Sequence, residues 1–236
     1  GSLPADVLDR TTAAYICSPA NPQGAVADRG YWRDLIALAE KHDFRIFSDE
    51  CYSEIYRDAP PPGILEVARE MGADPDRIVI FQSLSKRSNL PGMRSGFVAT
   101  GPEAIKRMRQ HRAYSGAPLP LPLQRVAERA WADEEHVIEN RALYQEKFRV
   151  ADDILNGVPG YQGPEGGFFL WLPVEDGEDA ALSLWKHAGI RVLPGAYLSR
   201  EVDGDIPGKP YIRVAMVAPK EEMAQALITL RNHLYQ

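Results

Sequence analysis

A chain of 236 residues is long enough to bury the core of one large domain or of two smaller ones. Apolar residues make up 44% and charged residues 25%, the balance of an ordinary globular protein, and the net charge of -6 argues against a nucleic-acid partner. Two cysteines, Cys17 and Cys51, are too few for a disulfide framework, and no apolar run approaches the roughly 20 residues that span a bilayer. We therefore expect a cytoplasmic protein that binds neither nucleic acid nor a membrane.

Short apolar runs alternate with helical patterns over the first half of the chain. The runs predict strands over residues 12–18, 44–48, 77–82 and 95–100, and the patterns between and after them predict helices over 29–42, 64–71 and 102–112. Such alternation is typical of an α/β fold with a mainly parallel sheet.

The pattern changes after residue 122. A single long helix is predicted over 123–154, followed by strands over 168–172, 191–193 and 211–216 and helices over 179–188 and 220–234. This second part indicates a compact α+β unit. We place the domain boundary within the long helix, which gives domains of residues 1–140 and 141–236.

Polar side chains follow three of the predicted strands in the first half. In open α/β sheets, ligands bind beyond the carboxyl ends of the strands, so these side chains are expected to face one crevice. The residues in question are Asn21, then Asp49 with Tyr52, then Ser83, Ser85 and Lys86.

The third group suggests a lysine that attacks an aldehyde beside a phosphate group. Lys86 would be the nucleophile and must be neutral to attack a carbonyl. Ser83 and Ser85 offer hydroxyl donors, and Arg94 can bind phosphate oxygens through two parallel hydrogen bonds.

The other two groups complement this chemistry. Asp49 is expected to be a buried carboxylate, and such a group can keep a pyridine nitrogen protonated. Asn21 and Tyr52 can donate hydrogen bonds to a phenolate oxygen.

Structural roles compete with these interpretations. Asp49 alone would most often cap a helix, and Asn21 before a proline would form a turn. Arg213 stands alone in an apolar stretch; it either faces inward toward an anion or is an edge-strand arginine that faces water. The histidines on helical stretches, among them His136, are expected at the surface, and no spacing of His, Cys and Asp suggests a metal site.

Four motifs together resemble the class I/II aminotransferases, which use pyridoxal 5'-phosphate (PLP) and have PLP-dependent transferase fold type I. They are Ser-Pro-Ala-Asn-Pro-Gln-Gly at 18–24, Ser-Asp-Glu-Cys-Tyr at 48–52, Ser-Leu-Ser-Lys at 83–86 and Gly-Met-Arg-Ser-Gly at 92–96. The resemblance continues through 166–171 and ends at 211–214. It implies part of a large PLP-binding domain with a mainly parallel sheet, and a small C-terminal α+β domain.

The resemblance also implies roles for the residues at the strand ends. Lys86 carries PLP as a Schiff base and moves the proton at the substrate Cα. Asp49 pairs with the pyridinium nitrogen, while Asn21 and Tyr52 contact the ring oxygen.

A further set of roles concerns phosphate and substrate. Ser83, Ser85 and Arg94 resemble the phosphate ligands. Arg213 resembles the arginine that binds the α-carboxylate of the substrate, and Asn21 is assigned to the same substrate site.

Members of this family have roughly 150 more residues before the first strand found here. The resemblance therefore implies that the chain is the C-terminal two-thirds of a longer enzyme, which would be a homodimer. A phosphate-binding loop at a helix N-terminus and an aromatic residue that stacks on the pyridine ring would lie in the remaining part. We expect residues 1–236 alone to bind PLP weakly and to catalyse little or no transamination.

Residues 166–173 and 189–195 resemble those of bacterial succinyldiaminopimelate aminotransferases, and general aspartate aminotransferases share much of them. The implied reaction moves an amino group between an amino acid and a 2-oxo acid, with glutamate and 2-oxoglutarate as one pair. Two alternatives remain open: a PLP-dependent carbon–sulfur lyase, and a non-catalytic effector-binding module of the same fold.

Overall fold

The computed structural model describes residues 3–236, which form two compact units. The first unit contains the chain up to Pro19 together with Val26–Glu54 and Ala59–Asn140; the second contains Ala20–Ala25, Ile55–Asp58 and Arg141–Gln236. Two short segments of the N-terminal half therefore pack within the second unit. The assignment of 1–140 and 141–236 as domains remains a prediction.

The first unit is built on a four-stranded sheet, as predicted. Its strands are β1 (Ala13–Cys17), β2 (Arg45–Asp49), β3 (Ile78–Ser83) and β4 (Gly96–Thr100), in that spatial order. The pairs β1–β2 and β2–β3 are parallel, and β4 runs antiparallel to β3. The mainly parallel sheet is confirmed, with β4 as its antiparallel strand.

Helices precede, separate and follow these strands. They are α1 (Ala5–Asp9), α2 (Arg29–His42), α3 (Ile64–Met71), α4 (Leu84–Arg87), α5 (Pro102–Tyr114) and α6 (Leu121–Ala132), and α7 (Glu135–Leu155) continues from the first unit into the second. The predicted helices α2, α3 and α5 are confirmed. The core of this unit forms where Trp32 and Ile36 of α2 and Val67 of α3 pack with Ile46 and Ile78 of the sheet.

The prediction of one helix over 123–154 is wrong. Asp133 has an extended backbone (φ -99°, ψ 119°), so α6 stops at Ala132. The Asp133 Oδ1 atom accepts a hydrogen bond from the Glu135 backbone N–H at 3.0 Å, and α7 starts there. An aspartate side chain that accepts the N–H two residues further on is a turn signal, and a polar helical pattern does not make this signal visible in the sequence.

The second unit contains a three-stranded antiparallel sheet. Its strands are β5 (Phe169–Pro173), β6 (Leu193–Pro194) and β7 (Tyr211–Ala215), and β7 lies in the middle. Helices α8 (Gly177–Ala188) and α9 (Lys220–Leu234) accompany the sheet, as predicted. Buried Leu170, Ile212, Leu184 and Leu227 contribute to the core of this unit.

Within residues 3–236, none of the helices has the length and apolar character required to cross a membrane.

Candidate active site

The turn that carries Lys86 follows directly from the end of β3. The Ser83 Oγ atom accepts a hydrogen bond from the Ser85 backbone N–H at 3.1 Å and so caps α4. The two serine hydroxyls are 2.9 Å apart. Lys86 is therefore held one residue beyond a pair of neighbouring hydroxyl groups.

Strand β4 fixes the position of this turn. Ser83 pairs with Gly96, and the Leu84 backbone N–H donates to the Ser95 carbonyl at 3.1 Å. A Cβ atom at residue 96 would lie 2.4 Å from the Gln82 carbonyl oxygen. Only glycine allows β4 to approach β3 this closely beside the lysine turn.

Tyr52 lies beside Lys86. The Lys86 Nζ atom is 5.8 Å from the centroid of the Tyr52 ring. Tyr52 is 6% exposed and lies within a turn that is closed by the Ser53 N–H, which donates to the Glu50 carbonyl at 3.0 Å. The predicted grouping of Lys86 with Tyr52 is therefore present in the structure.

Asp49 is exposed, which corrects the expectation of a buried carboxylate. Strand β2 alternates, so that Ile46 and Ser48 are buried on one face and Asp49 points to the opposite face. The Asp49 Oδ1 atom accepts the Cys51 backbone N–H at 3.1 Å, which orients the carboxylate without covering it.

The buried carboxylate of this segment is Glu50, which the sequence analysis did not single out. Its Oε1 atom accepts hydrogen bonds from the Ser48 hydroxyl at 3.1 Å and from the Ile64 backbone N–H at 3.2 Å. Burial raises the pKa of Glu50, and these two hydrogen bonds oppose the rise. Glu50 thus accepts the first backbone N–H of α3, while its neighbour Asp49 points to the opposite face of the sheet.

An open cleft of about 400 Å³ borders Asp49. Tyr15, Ile16, Cys17, Phe47 and Phe81 line it with the aspartate. The rings of Tyr15 and Phe47 stack with their centroids 4.8 Å apart. A planar apolar surface therefore lies next to an accessible carboxylate.

The pKa of the Cys51 thiol is affected by the charged groups of the same region. Burial raises the pKa of its thiol, and the negative charge of Asp49 and a hydrogen bond to it add to the rise. The positive charge of Lys86 acts in the opposite direction. Lys86 and Asp49 are thus close enough for both charges to act on one side chain.

Arg94 binds within its own loop. Its backbone has φ +54°, and its Nη1 atom donates to the Pro91 carbonyl at 2.9 Å. Of the three predicted phosphate ligands, Ser83 and Ser85 therefore contact each other directly. Arg94 is exposed and is hydrogen-bonded within its own loop.

Arg213 and Asn21 meet in the second unit. The Arg213 Nη1 atom donates to Asn21 Oδ1 at 2.9 Å, and the guanidinium carbon is 4.3 Å from the centroid of the Phe169 ring. Because β7 is the central strand, the alternative of an edge-strand arginine is wrong. Asn21 belongs to this unit, whereas Asp49 and Lys86 belong to the first, so a single crevice for all three remains a prediction.

The functional groups in the first unit are of the types that could bind PLP. A primary amine can react with its aldehyde, two adjacent hydroxyls can bind its phosphate, and an accessible carboxylate can bind its pyridine nitrogen. Lys86, the serine pair and Asp49 supply these groups.

The sequence model for "aminotransferase class I and II" matches residues 4–230. The chain is 33% identical over 232 residues to the 4-dedimethylamino-4-oxo-anhydrotetracycline transaminase OxyQ of Streptomyces rimosus, with 98% of this chain and 61% of OxyQ aligned. It is 29% identical over 239 residues to an LL-diaminopimelate aminotransferase of Dehalococcoides mccartyi, with 98% of this chain and 58% of that protein aligned.

Solved structures agree with these relatives. An aminotransferase from Neisseria meningitidis superposes with a TM-score of 0.92 at 42% identity, covering 98% of this chain and 60% of that one. A probable N-succinyldiaminopimelate aminotransferase from Thermus thermophilus superposes with a TM-score of 0.84 at 29% identity, covering 98% of this chain and 61% of that one.

The chain thus spans about 60% of the length of the relatives it matches. The family model covers nearly all of it, and the likeness to the Neisseria structure confirms the fold type I prediction. The chain belongs to the class I and II aminotransferase family.

Proposed function

We propose that the protein is a PLP-dependent transaminase that uses Lys86 as its cofactor-binding lysine. The observation that carries the proposal is the arrangement at the ends of β2 and β3. There the Lys86 amine lies 5.8 Å from the Tyr52 ring centroid, Lys86 directly follows the hydroxyl pair of Ser83 and Ser85, and Asp49 ends the neighbouring strand β2.

When bound, PLP supplies an electron sink that weakens the bonds at the Cα atom of an amino acid. Asp49 would hold a proton at the pyridine nitrogen, for which its exposed carboxylate, oriented by the Cys51 N–H, is suited. The Tyr52 hydroxyl would donate to the ring oxygen. Ser83 and Ser85 would bind phosphate oxygens, with Arg94 as a further ligand.

Lys86 would also move the proton of the reaction. Its Nζ atom, when neutral, would take the proton from the substrate Cα as a general base. The fixed turn after β3 supports this role, because a base must stay within hydrogen-bond reach of the atom that it deprotonates.

Arg213 and Asn21 would bind the α-carboxylate. A guanidinium offers parallel N–H donors that match the two oxygens of a carboxylate. The 2.9 Å hydrogen bond from Arg213 to Asn21 and the neighbouring Phe169 ring orient this group in the second unit. Fixing the carboxylate would set the direction of the Cα–H bond.

We propose a diaminopimelate derivative, with succinyldiaminopimelate first and aspartate second, as the substrate paired with glutamate and 2-oxoglutarate. The similarity to the Thermus and Dehalococcoides proteins supports the diaminopimelate class. A homodimer is proposed from the family resemblance alone.

Transfer of an isotopically labelled amino group tests the proposal. Each candidate donor carrying ¹⁵N would be incubated with PLP, 2-oxoglutarate and the longest natural protein that carries residues 1–236, and ¹⁵N-glutamate would be measured by mass spectrometry. The donors are N-succinyl-LL-diaminopimelate, LL-diaminopimelate and aspartate. Label in glutamate with wild type, and none with Lys86→Ala, is the expected result.

Other products would point to the alternatives. Release of pyruvate from cystathionine without label transfer would identify a carbon–sulfur lyase, which also needs the lysine and the aspartate. Saturable PLP binding with neither product, in the longest natural protein that carries these residues, would favour the effector-binding module. Transfer from aspartate alone would reverse the proposed order of substrates.

A further inference from the structure

Arg87, the residue directly after Lys86, is almost completely buried. It is 5% exposed, although arginine side chains are seldom buried unless they are paired. A buried guanidinium is costly unless several acceptors surround it. We therefore consider which acceptors surround the buried guanidinium of Arg87.

The acceptors of Arg87 lie where helix α6 ends. Its Nη1 atom donates to the Ala130 carbonyl at 2.9 Å, and its Nη2 atom lies 3.5 Å and 3.4 Å from the Trp131 and Asp133 carbonyls. Nη2 also pairs with the Glu134 carboxylate, and the guanidinium carbon lies 5.2 Å from the Trp131 ring centroid. The last carbonyls of a helix lack partners within the helix and carry partial negative charge, so a cation stabilises them.

The next residue, Ser88, binds the same segment. Its Oγ atom is 2.8 Å from His136 Nε2, and His136 Nδ1 is 3.1 Å from Asp133 Oδ2. The hydrogen bond from His136, together with the Glu135 N–H, lowers the pKa of Asp133. His136, expected at the surface, is half-buried in this contact. Residues 87 and 88 are thus both held by residues 130–136.

This attachment bears directly on the lysine. Helix α4 has four residues, and a helix of that length is not stable on its own. At its N-terminus, Ser83 and strand β4 hold it. At its C-terminus, Arg87 joins it to the junction between α6 and α7, and Lys86 lies between these two attachments.

We propose that Arg87 is a positioning residue that holds the Lys86 turn against the end of α6, so that the Lys86 amine reaches the PLP aldehyde. The inference rests on the proposed function, in which Lys86 bonds to PLP. It concerns a residue that would itself touch neither cofactor nor substrate.

The test separates PLP binding from coupling to Lys86. Bound PLP is measured by equilibrium dialysis, and coupling by the rate at which borohydride fixes a pyridoxyl group on the Lys86 peptide. For Arg87→Met we expect folded protein, PLP affinity within about threefold of wild type, and coupling about 10- to 100-fold slower, the cost of a misplaced reacting group. Arg87→Lys keeps the charge but not the planar fork, and should recover part of the rate.

Two further variants serve as a control and as a replacement for Arg87→Met. Arg125→Met removes an exposed arginine of the same helix α6 and should leave coupling unchanged. If Arg87→Met fails to fold, Glu134→Gln replaces it: the carbonyl contacts of Arg87 remain, and coupling should slow severalfold.

The outcomes distinguish this inference from the proposed function. No pyridoxyl group on Lys86 in wild type would contradict the proposed function itself. A wild-type adduct whose rate is unchanged in folded Arg87→Met, or in Glu134→Gln where that variant is needed, would overturn the positioning role. Equal losses of PLP affinity and coupling rate in folded protein would also overturn it, because they indicate a general effect on the site.

Discussion

At the scale of single residues, Arg213 is the side chain of the second unit for which we propose the binding of the substrate carboxylate. It is half-buried in the central strand, donates to Asn21 at 2.9 Å and lies over the Phe169 ring. Replacing it by alanine should raise KM for the amino donor at least about 30-fold, the equivalent of about 2 kcal/mol. Steady-state kinetics in the active protein would measure this.

The exposed Arg191 of the same unit provides the control. Arg191→Ala should leave KM within about twofold, because an exposed surface charge contributes little. Similar KM values for Arg213→Ala and Arg191→Ala would rule out the carboxylate role.

Glu50 should make the stability of the folded protein depend on pH. The pKa of Glu50 is raised in the folded protein. Its contribution to the unfolding free energy is therefore fully present below the pKa of an unfolded glutamate, and it is lost as the pH rises through the pKa of the folded state. Glu50→Gln can still accept from Ile64 and does not ionise. Its melting temperature relative to wild type should therefore rise from about pH 4 to about pH 8. Thermal unfolding monitored by circular dichroism measures the difference.

Glu40→Gln on the exposed face of α2 should show no such trend. A constant difference between Glu50→Gln and wild type across this pH range would mean that Glu50 keeps its ordinary pKa.

Residue types and spacing were sufficient to predict that Lys86 lies beside Tyr52 and that the two serines lie together, because each follows a predicted strand. They were not sufficient to distinguish Asp49 from Glu50. A sequence does not show which of two adjacent carboxylates continues the buried face of a strand until the register of β2 is known.

At the scale of elements, the close pairing of β3 with β4 determines where the lysine turn begins. Gly96→Ala would place a Cβ atom 2.4 Å from the Gln82 carbonyl oxygen. We expect this overpacking to cost about 1–3 kcal/mol of unfolding free energy. The melting temperature should fall by about 2–4 °C for each kcal/mol in a chain of this size.

Gly92→Ala is the matched substitution, because nothing lies within 4 Å of the added atom. It should change the unfolding free energy by about 0.5 kcal/mol or less. Equal melting temperatures for the two variants would show that β4 can shift without affecting β3.

Most elements could be predicted because their apolar periodicity is clear, as in α3 and α9. The break between α6 and α7 was missed because Asp133 looks like any other polar residue of an exposed helical face. Only its extended backbone and its hydrogen bond from the Glu135 N–H identify it as the turn between the two helices.

At the scale of the whole molecule, bound PLP should stabilise the protein through Lys86. A ligand at 100 times its dissociation constant adds about 2.7 kcal/mol to the unfolding free energy. PLP should therefore raise the melting temperature of wild type more than that of Lys86→Ala. Pyridoxine 5'-phosphate, which has no aldehyde, should raise both equally. Equal shifts with PLP as well would mean that Lys86 makes no bond to it.

The whole-molecule arrangement was the hardest to predict. The sequence places Asn21 next to β1, yet its segment packs in the second unit, where the Gly24 carbonyl accepts the N–H groups of Glu165 and Gly166. Contacts between residues about 140 positions apart leave no periodic signal in a sequence.

A bond between Lys86 and PLP can be detected by trapping it chemically and locating the modified peptide. The protein is incubated with PLP, reduced with borohydride, digested and mapped by mass spectrometry, both as residues 1–236 and as any longer natural protein that carries them. We predict a pyridoxyl group on the Lys86 peptide that is absent in Lys86→Ala. Modification spread over other lysines, or none on Lys86 in either form, would contradict the account.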